Sequence, residues 1–457
     1  MNARNWLVLG LVAGIAACGG DSSEPISSGD AGEPDAGGPD ARAGGDAASC
    51  PAGGNGMLAL EVQIEEGVLA DVLVTGAGEP RPVTAGETLT LPAGPYEIAA
   101  RRVMQAGTMV GAAYQPTVQT EQVCVRADGP ATARVVYTRE PGSARLWLTQ
   151  TNGTGPQVMG FDASQLMAAG DVAPAAGFGT GQPNAGAIRV DARGRLWVGS
   201  TSGAVSGFDT ARLGTASSEP PDVILKGSAI CGPVIPCGPR AIAFDRTGAM
   251  WLAVHAKIIK LAPESLDSSG SPAAVVAITS PELGAPNGLA FDASGNLWVA
   301  SSEGTVLQFA AARLTADIVD GASDISIETQ EDGPVKLNLG GPEGLVFDAD
   351  GNLWIGYFLA NKLVRLTPAE LASDPPAGTP IIASTVVTLG ALSVLTDLGI
   401  DEAGNLWFPS RSGEFARIDR AQLSAATPTV HSFRSAGISS VGKLALHAVS
   451  GDLFIAP

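Results

Sequence analysis

The stretch Phe291-Asp292-Ala293-Ser294-Gly295-Asn296-Leu297-Trp298-Val299-Ala300 decides the fold of this chain. Asp292 can accept hydrogen bonds from nearby backbone, and Gly295 can adopt a positive φ, so the centre of the stretch predicts a tight turn. The flanking runs are short and apolar at nearly every position, which is typical of strands buried on both faces. The stretch therefore predicts a strand, a turn and a second strand, with Trp298 packing between sheets.

This stretch repeats through the C-terminal two-thirds of the chain. Copies lie at 190–197, 244–251, 346–355 and 399–408, a half copy lies at 145–148, and a degenerate copy lies at 446–454. Six of the seven Trp share one repeat position, at intervals of 50, 54, 47, 56 and 53 residues: Trp147, Trp197, Trp251, Trp298, Trp354 and Trp407. Self-similarity at this period indicates an array or a propeller.

Each unit also contains two further strands and a short helical turn. In one unit the two further strands are predicted at 305–309 and 335–339. The helical turns place a Leu under each sheet: Leu166, Leu213, Leu266, Leu314, Leu371 and Leu423. Four-stranded units repeated six times predict an all-β chain with a six-bladed β-propeller over 143–457. Residues 443–446 supply the strand that the first unit lacks; counting 453–455 as a further strand gives a seven-bladed alternative.

The repeated pattern Pro-x-Gly-Leu-x-Phe-Asp-x-x-Gly-Asn-Leu-Trp-Val resembles NHL-repeat propellers and the related SMP-30/gluconolactonase and streptogramin-lyase-like propellers. The resemblance covers roughly residues 143–457. It implies the propeller fold, and it does not separate catalytic members from binding scaffolds.

The first 49 residues read as an export signal followed by a linker. A basic start at Arg4, an apolar core and the run Ile15-Ala16-Ala17-Cys18 make residues 1–18 resemble a lipoprotein signal with its lipobox. The resemblance implies that Cys18 is lipidated, and Gly19 in place of Asp points to the outer membrane of the bacterial envelope. Residues 19–49 are mostly Gly, Ala, Ser, Pro and Asp, so they predict a disordered acidic tether.

Residues 50–140 predict a small β domain. Strand-like runs alternate with turn signals such as Pro92-Ala93-Gly94-Pro95. The run 89–98 resembles β-sandwich modules of the PEGA or carboxypeptidase-regulatory type, which implies a spacer or binding unit.

Charge and cysteine content narrow the possible partners and the compartment. The net charge of −19, without a Lys/Arg cluster, argues against nucleic acid as a partner. The four cysteines that remain after Cys18 can be oxidised in an exported protein, which predicts the disulfides Cys50–Cys124 and Cys231–Cys237. A metal site at Cys231 and Cys237 is disfavoured because no His or other Cys lies nearby in sequence.

Residues that could carry catalysis are sparse. The only histidines are His255, His431 and His447, and none stands in a catalytic motif, so the resemblance to streptogramin lyases lacks an assignable base. The turn aspartates recur once per unit and so predict turns rather than one converging calcium site. The acidic residues of 317–332 are a better cation candidate, against a solvated loop: Asp317, Asp320, Asp324, Glu328, Glu331 and Asp332.

The resemblance also implies where a ligand site would lie. In such propellers, the residue before each innermost strand faces the mouth of the central channel; here these residues are Gly186, Arg240, Asn287, Glu343, Thr396 and Gly442. The segment around Asn287 resembles the SMP-30 segment whose Asn binds a divalent metal. The segment around Glu343 resembles one that carries a metal-binding Asp, but the family's N-terminal metal-binding Glu has no match.

Two function classes follow from these observations. The first is a membrane-anchored binding or scaffold module for an unknown protein or glycan. The second is a metal-dependent hydrolase or lyase of the SMP-30 type, with a divalent cation such as calcium held by Asn287 and Glu343. The poor His supply and the incomplete metal set favour the first. Any small-molecule or ion site is predicted where Arg240, Asn287, Glu343 and Thr396 converge, with Asp397 nearby; an Arg240–Glu343 ion pair could take the place of a metal.

Overall fold

In a computed structural model, β-strands make up most of the described chain. The structure describes residues 50–446, apart from gaps at 51–52, 67, 77–80, 84–85, 105–110, 141–144, 151–155, 183, 215–218, 232–236, 331–340, 359–360, 374–380, 390–393 and 437. The predicted signal with Cys18, the predicted linker, His447 and the degenerate last repeat lie outside the described residues. Among those described, no helix has both the length and the apolar character needed to cross a bilayer.

Two antiparallel-rich sheets precede the Trp repeat and share one apolar core. Their strands are β1 (Asn55–Gln63), β2 (Asp71–Thr75), β3 (Arg81–Val83), β4 (Thr88–Pro92), β5 (Gly94–Arg101), β6 (Val103–Met104), β7 (Ala113–Val118), β8 (Gln122–Val125) and β9 (Pro130–Arg139). The sheet orders are β4-β1-β9-β7-β6 and β3-β2-β5-β8. Alternate residues of these strands, such as Leu58, Leu60, Val72 and Ile98, are buried in the common core, as the period-2 pattern predicts.

The Trp repeat folds as a series of antiparallel sheets that resemble propeller blades. Its strands are β10 (Arg145–Gln150), β11 (Val158–Asp162), β12 (Gly170–Asp171), β13 (Ala176–Phe178), β14 (Ala185–Val190), β15 (Leu196–Ser200), β16 (Val205–Phe208), β17 (Val223–Leu225), β18 (Pro239–Phe244), β19 (Met250–Val254), β20 (Lys257–Leu261), β21 (Val276–Thr279), β22 (Pro286–Phe291), β23 (Leu297–Ser301), β24 (Thr305–Phe309), β25 (Ile325–Gln330), β26 (Pro342–Phe347), β27 (Leu353–Tyr357), β28 (Lys362–Leu366), β29 (Ile381–Ile382), β30 (Thr385–Thr388), β31 (Gly399–Ile400), β32 (Leu406–Pro409), β33 (Glu414–Ile418), β34 (Val430–Arg434) and β35 (Val441–Leu446).

Each sheet begins with an inner strand, and the inner strands contact one another in a closed order. The sheets run β35-β10-β11-β13, β14-β15-β16-β17, β18-β19-β20-β21, β22-β23-β24-β25-β29, β26-β27-β28-β30 and β31-β32-β33-β34-β12. Inner strands β14, β18, β22, β26, β31 and β35 each contact the next, and β35 contacts β14. The C-terminal strand β35 pairs antiparallel with β10, which confirms that residues 443–446 supply the strand missing from the first unit.

The turn between an inner strand and its Trp strand is stabilised by one Asp. In the central copy, Asp292 Oδ1 accepts from the backbone N–H groups of Ser294 and Asn296, both at 2.9 Å, and Asp292 Oδ2 accepts from Trp298 Nε1 at 2.9 Å. Gly295 closes the turn at φ 80°, where a side chain would be strained. Four other turn aspartates bond their own Trp in the same way: Asp191, Asp245, Asp348 and Asp401.

The predicted helical turns are present in the described chain. They span Ala163–Leu166, Thr210–Arg212, Pro263–Leu266, Ala311–Arg313, Pro368–Leu371 and Arg420–Gln422; the fifth is a single α-helical turn and the others are 3₁₀ turns. All six predicted Leu residues of this motif are buried. One predicted strand differs: the fourth strand of its sheet is Ile325–Gln330, while 335–339 lie outside the described residues.

Both predicted disulfides form. Cys50 and Cys124 are bonded across the N-terminal sheets, with Cα atoms 5.6 Å apart. Cys231 and Cys237 are bonded in the loop that leads to β18, with Cα atoms 4.9 Å apart. Gly203 lies against this second disulfide, so the loop is held to the neighbouring β15–β16 hairpin.

Candidate functional site at the mouth of the inner strands

Three of the predicted site residues occupy irregular positions at the starts of neighbouring inner strands. The pairing register shifts between Pro239 and Ala241, and the same shift recurs around Asn287 and Glu343. Each of these inner strands starts with a proline, which has no N–H to donate to the ladder, and a local irregularity of this kind re-aims the side chain that it contains. Arg240, Asn287 and Glu343 are therefore displayed by the same device in three successive sheets.

The three residues form a chain of hydrogen bonds. Arg240 Nη1 donates to Asn287 Oδ1 at 2.9 Å, and Asn287 Nδ2 donates to Glu343 Oε1 at 3.3 Å. Asn287 is buried, Glu343 is half-buried and Arg240 is exposed. The structure thus brings these three residues together, with Asn287 linking the cation to the carboxylate.

A fourth residue, Lys443, occupies the centre of the group. Its Nζ donates to the carbonyl oxygens of Asn287 at 3.0 Å and Glu343 at 3.2 Å, and it lies 3.6 Å from Glu343 Oε2. Only 12% of the Lys443 side chain and 21% of the Glu343 side chain are exposed. We refer to Arg240, Asn287, Glu343 and Lys443 as the mouth cluster.

The other predicted residues lie beside the mouth cluster in structural roles. The buried carboxylate of Asp397 accepts from the backbone N–H of Leu444 at 3.2 Å, which joins the segment before β31 to β35. Thr396 is buried, and its backbone N–H donates to the carbonyl of Pro409 at 3.3 Å. Gly186 contributes its carbonyl, which accepts from Thr149 Oγ1 at 2.9 Å.

The electrostatics of the mouth cluster centre on Glu343. Burial raises the pKa of the Glu343 carboxyl, against the opposing charges of Lys443, Arg240 and Arg411. Arg411 is exposed on the β32–β33 hairpin, and its guanidinium lies 4.9 Å from the ring centroid of Phe358. One carboxylate thus faces three cations.

The oxygen atoms of the mouth cluster do not fit a divalent cation. Asn287 Oδ1 already accepts from Arg240, and the two carbonyl oxygens and Glu343 Oε2 surround the Lys443 ammonium. A calcium ion needs six to eight oxygens and would lie beside two fixed positive charges. Across the part of the chain that the structure describes, no group of three or more His, Cys, Asp or Glu could hold a metal ion.

The other sequence candidates are dispersed. Asp317 accepts from the backbone N–H of Ala277, whereas Asp324 pairs with Arg313; Glu331 and Asp332 lie outside the described residues. His255 is exposed at φ 52°, and His431 Nε2 lies 3.1 Å from Asp419 Oδ2. These acidic and imidazole groups therefore share no common site among the residues described.

Within the Trp repeat, two of the concavities lie away from the mouth cluster. A cavity of about 30 Å³ in the channel is lined mainly by apolar side chains such as Leu289, Phe291 and Phe347, together with Arg189; it has room for about one water molecule. A larger cavity, about 240 Å³, lies at the turn end between the fifth and sixth sheets. Its carboxylates Asp348 and Asp401 are occupied by their own turns.

Lys443, Arg411 and Phe358 are the site residues that sequence reasoning missed. The residue at the third position of each inner strand is small in four sheets: Ala187, Ala241, Gly288 and Gly344. Lys443 occupies this third position in β35. A long basic residue at a position that is small in four other sheets could have marked Lys443 as a site residue. Arg411 and Phe358 lie in hairpins outside the aligned starts of the inner strands, so that alignment does not mark them.

Comparison with known proteins gives distant structural matches to β-propellers. No family model and no curated protein matches the chain. Among solved structures, virginiamycin B lyase from Staphylococcus aureus is 15% identical, with 55% of this chain and 69% of that chain covered and a TM-score of 0.36.

Two further matches are similarly distant. A protein of unknown function from Bacteroides caccae is 10% identical over 66% of this chain and 97% of its own, with a TM-score of 0.44. The WD40 β-propeller domain of Doa1 is 11% identical over 66% of this chain and 81% of its own, with a TM-score of 0.38. Likeness at this level says nothing about what this chain binds.

Proposed function

We propose that this chain is a lipid-anchored binding or scaffold module of the bacterial cell envelope, whose propeller presents the mouth cluster to a glycan or protein ligand. The closed order of the inner strands and the β10–β35 pairing support a six-bladed propeller. The shared core of the two N-terminal sheets supports a β-sandwich spacer.

The observation that carries the proposal is the position of the Lys443 ammonium. It is surrounded by the oxygens of Asn287 and Glu343, the two residues that a metal-dependent hydrolase of the SMP-30 type would use. The Lys443 ammonium holds the starts of the inner strands together without any bound metal ion. The mouth is therefore pre-organised as a charged recognition surface. Pre-organisation lowers the entropic cost of binding.

Membrane anchorage of the proposed module rests on Cys18 and the lipobox that ends at Ala17. We expect the wild-type protein to fractionate with the outer membrane and to be released only by detergent. Cys18→Ser should move the protein into the soluble fraction, because one cysteine carries the whole anchor. A Cys18→Ser protein that still fractionates with membrane overturns the anchorage.

The binding role is tested by melting and by ligand capture with one pair of variants. The full chain is melted with and without calcium, magnesium, manganese or zinc, and then screened on a glycan array and against envelope proteins. We expect no metal-dependent rise in Tm for wild type, because a site that binds only the folded state must raise stability. Glu343→Ala should weaken ligand capture, whereas the exposed control Glu264→Ala should not.

The two candidate functions give opposite results in this experiment. A metal-dependent rise in Tm that Glu343→Ala abolishes would support the hydrolase. A ligand whose capture is the same for wild type and Glu343→Ala would leave the mouth cluster a purely structural feature and contradict the proposed site.

A further inference from the structure

The mouth of this acidic protein presents two guanidinium groups that form no salt bridge among the described residues. The chain carries a net charge of −19, yet Arg240, which bonds Asn287, and Arg411, whose backbone bonds Val394 just before Thr396, both place positive charge near one carboxylate, Glu343. That carboxylate lies nearest to Lys443, which satisfies its charge. The two arginines therefore leave positive charge at an otherwise negative surface.

Arg240 is exposed and held in place from one side. Its Nη1 donates to Asn287 Oδ1 at 2.9 Å, and Asn287 is itself buried. Within the described chain, no Asp or Glu oxygen lies within salt-bridge distance of Arg240. The remaining N–H groups of this guanidinium are available to a ligand.

Arg411 is exposed and held by an aromatic ring instead. Its guanidinium lies 4.9 Å from the ring centroid of the half-buried Phe358, and its backbone N–H donates to the carbonyl of Val394 at 3.1 Å. A cation over an aromatic ring is attracted by the ring face without using its N–H groups on a carboxylate, so they stay available to a ligand. Both arginines are thus pre-positioned without a salt bridge to an internal carboxylate.

We propose that Arg240 and Arg411 bind the carboxylates of an acidic saccharide of the hexuronate class; this inference rests on the proposed binding function. A guanidinium matches a carboxylate through two parallel N–H···O bonds, a geometry that lysine cannot supply. Lys443 and Glu343 neutralise each other beneath the arginines, so they support the site and leave the ligand's charge to Arg240 and Arg411.

The polarity of the mouth favours a saccharide over a protein partner. Three of the described hairpins beside it are short and carry exposed Ser202, Ser302 and Ser412 at their tips. Protein interfaces depend on buried aromatic and aliphatic anchors. The exposed large hydrophobic residues of the described chain, Met57, Leu69, Met167, Val275 and Val319, lie in other strands, loops and turns.

Calorimetric titration of the full chain with an oligogalacturonate tests the inference. Neutral glucose oligomers of equal length and a poly-glutamate peptide serve as the comparison ligands. We expect binding of the oligogalacturonate alone, with affinity that falls as salt rises. Arg240→Gln and Arg411→Gln should each weaken it about tenfold or more, which corresponds to the loss of one charge-assisted hydrogen-bonded pair.

Arg193→Gln is the matched control, because Arg193 is an exposed arginine at the turn end of its sheet. It should bind like wild type. Arg193→Gln and Arg411→Gln should keep the wild-type Tm, and Arg240→Gln should lower it by no more than the loss of its one hydrogen bond to Asn287 explains. Absence of oligogalacturonate binding, equal binding of the neutral oligomer, or preference for poly-glutamate overturns the saccharide inference. Capture of another ligand that depends on Glu343 and not on the arginines would overturn the inference while the proposed function stands.

Discussion

The Nζ of Lys443 lies 3.6 Å from Oε2 of Glu343, although the two residues are 100 positions apart in the chain. The contact joins the C-terminal strand β35 to β26, two strands that are not neighbours in any sheet. A cation from the last strand therefore ties together the starts of inner strands that lie across the mouth.

Replacing Lys443 should destabilise the protein through its partners. Lys443→Met leaves two carbonyl oxygens and the Glu343 carboxylate without their donor, which should lower the free energy of unfolding by about 1–3 kcal/mol in urea denaturation. The exposed control Lys226→Met should change it by less than about 0.5 kcal/mol. Glu343→Gln should cost less in the Lys443→Met background than in wild type; additive losses would show that the two residues are uncoupled.

The pH dependence of stability should differ in sign between two glutamates. Burial raises the pKa of Glu343 despite its cations, so its contribution to folding is present below the unfolded pKa and is lost as pH rises through the folded pKa. The stability of wild type relative to Glu343→Gln should therefore fall as the pH is raised from about 4 towards neutrality.

Glu370 supplies the opposite case for the same measurement. Burial acts against ionisation there, but hydrogen bonds donated by Thr367 and Ser384 lower the pKa of Glu370 overall. Its contribution to stability is present above the unfolded pKa and is lost as pH falls through the folded pKa. The free energy of unfolding of wild type should therefore increase relative to that of Glu370→Gln as pH rises. If the stability difference between wild type and variant changed with pH in the same way for Glu343→Gln and Glu370→Gln, both pKa directions would be contradicted.

Two of the repeated tryptophans should respond differently to loss of the indole N–H. Trp298 Nε1 donates to Asp292 at 2.9 Å, whereas Trp147 Nε1 is buried with no partner among the described residues. Trp→Phe removes the same ring volume at both sites, so Trp298→Phe should cost about 1 kcal/mol more than Trp147→Phe in chemical denaturation. Equal costs would show that the Asp–Trp bond adds nothing to packing.

A side chain at Gly344 should be destabilising because the backbone just before the next inner strand, β31, approaches it. An added Cβ would lie 2.6 Å from the carbonyl carbon of Asp397 and 2.6 Å from the backbone nitrogen of Leu398. Gly344→Ala should lower the free energy of unfolding by about 1–3 kcal/mol. Gly270→Ala, where an added Cβ meets no atom within 4 Å, should be neutral or stabilising by up to about 1 kcal/mol.

Most of the repeat could be predicted from the sequence because its determinants are local. The turn Asp292, the turn Gly295 and Trp298 lie within seven consecutive residues, and their hydrogen bonds are made within that stretch. Strand closure by β35 was also predictable, because the first unit lacks an inner strand and the C-terminus has a spare one. Short-range geometry and strand counting settle both features.

The mouth cluster could be predicted only in part. Arg240, Asn287 and Glu343 share a repeat position, so their common placement follows from periodicity. The identity of the atoms that fill the space between them does not follow from periodicity. A long Lys side chain from the third position of β35 crosses the mouth to residues 156 and 100 positions earlier, and the sequence carries no measure of that distance.

By itself, the sequence determined the all-β repeat, the turn chemistry, the disulfide pairs and the shared positions of three mouth residues, since each depends on spacing along the chain. Tertiary structure alone decided that Lys443 is the cation that Glu343 pairs with, and that Asp397 bonds the backbone of Leu444. It also placed Arg411 on Phe358. The physical reason is that a charge selects its partner by distance through space and by the burial of both groups, and these are set when the ring of inner strands closes.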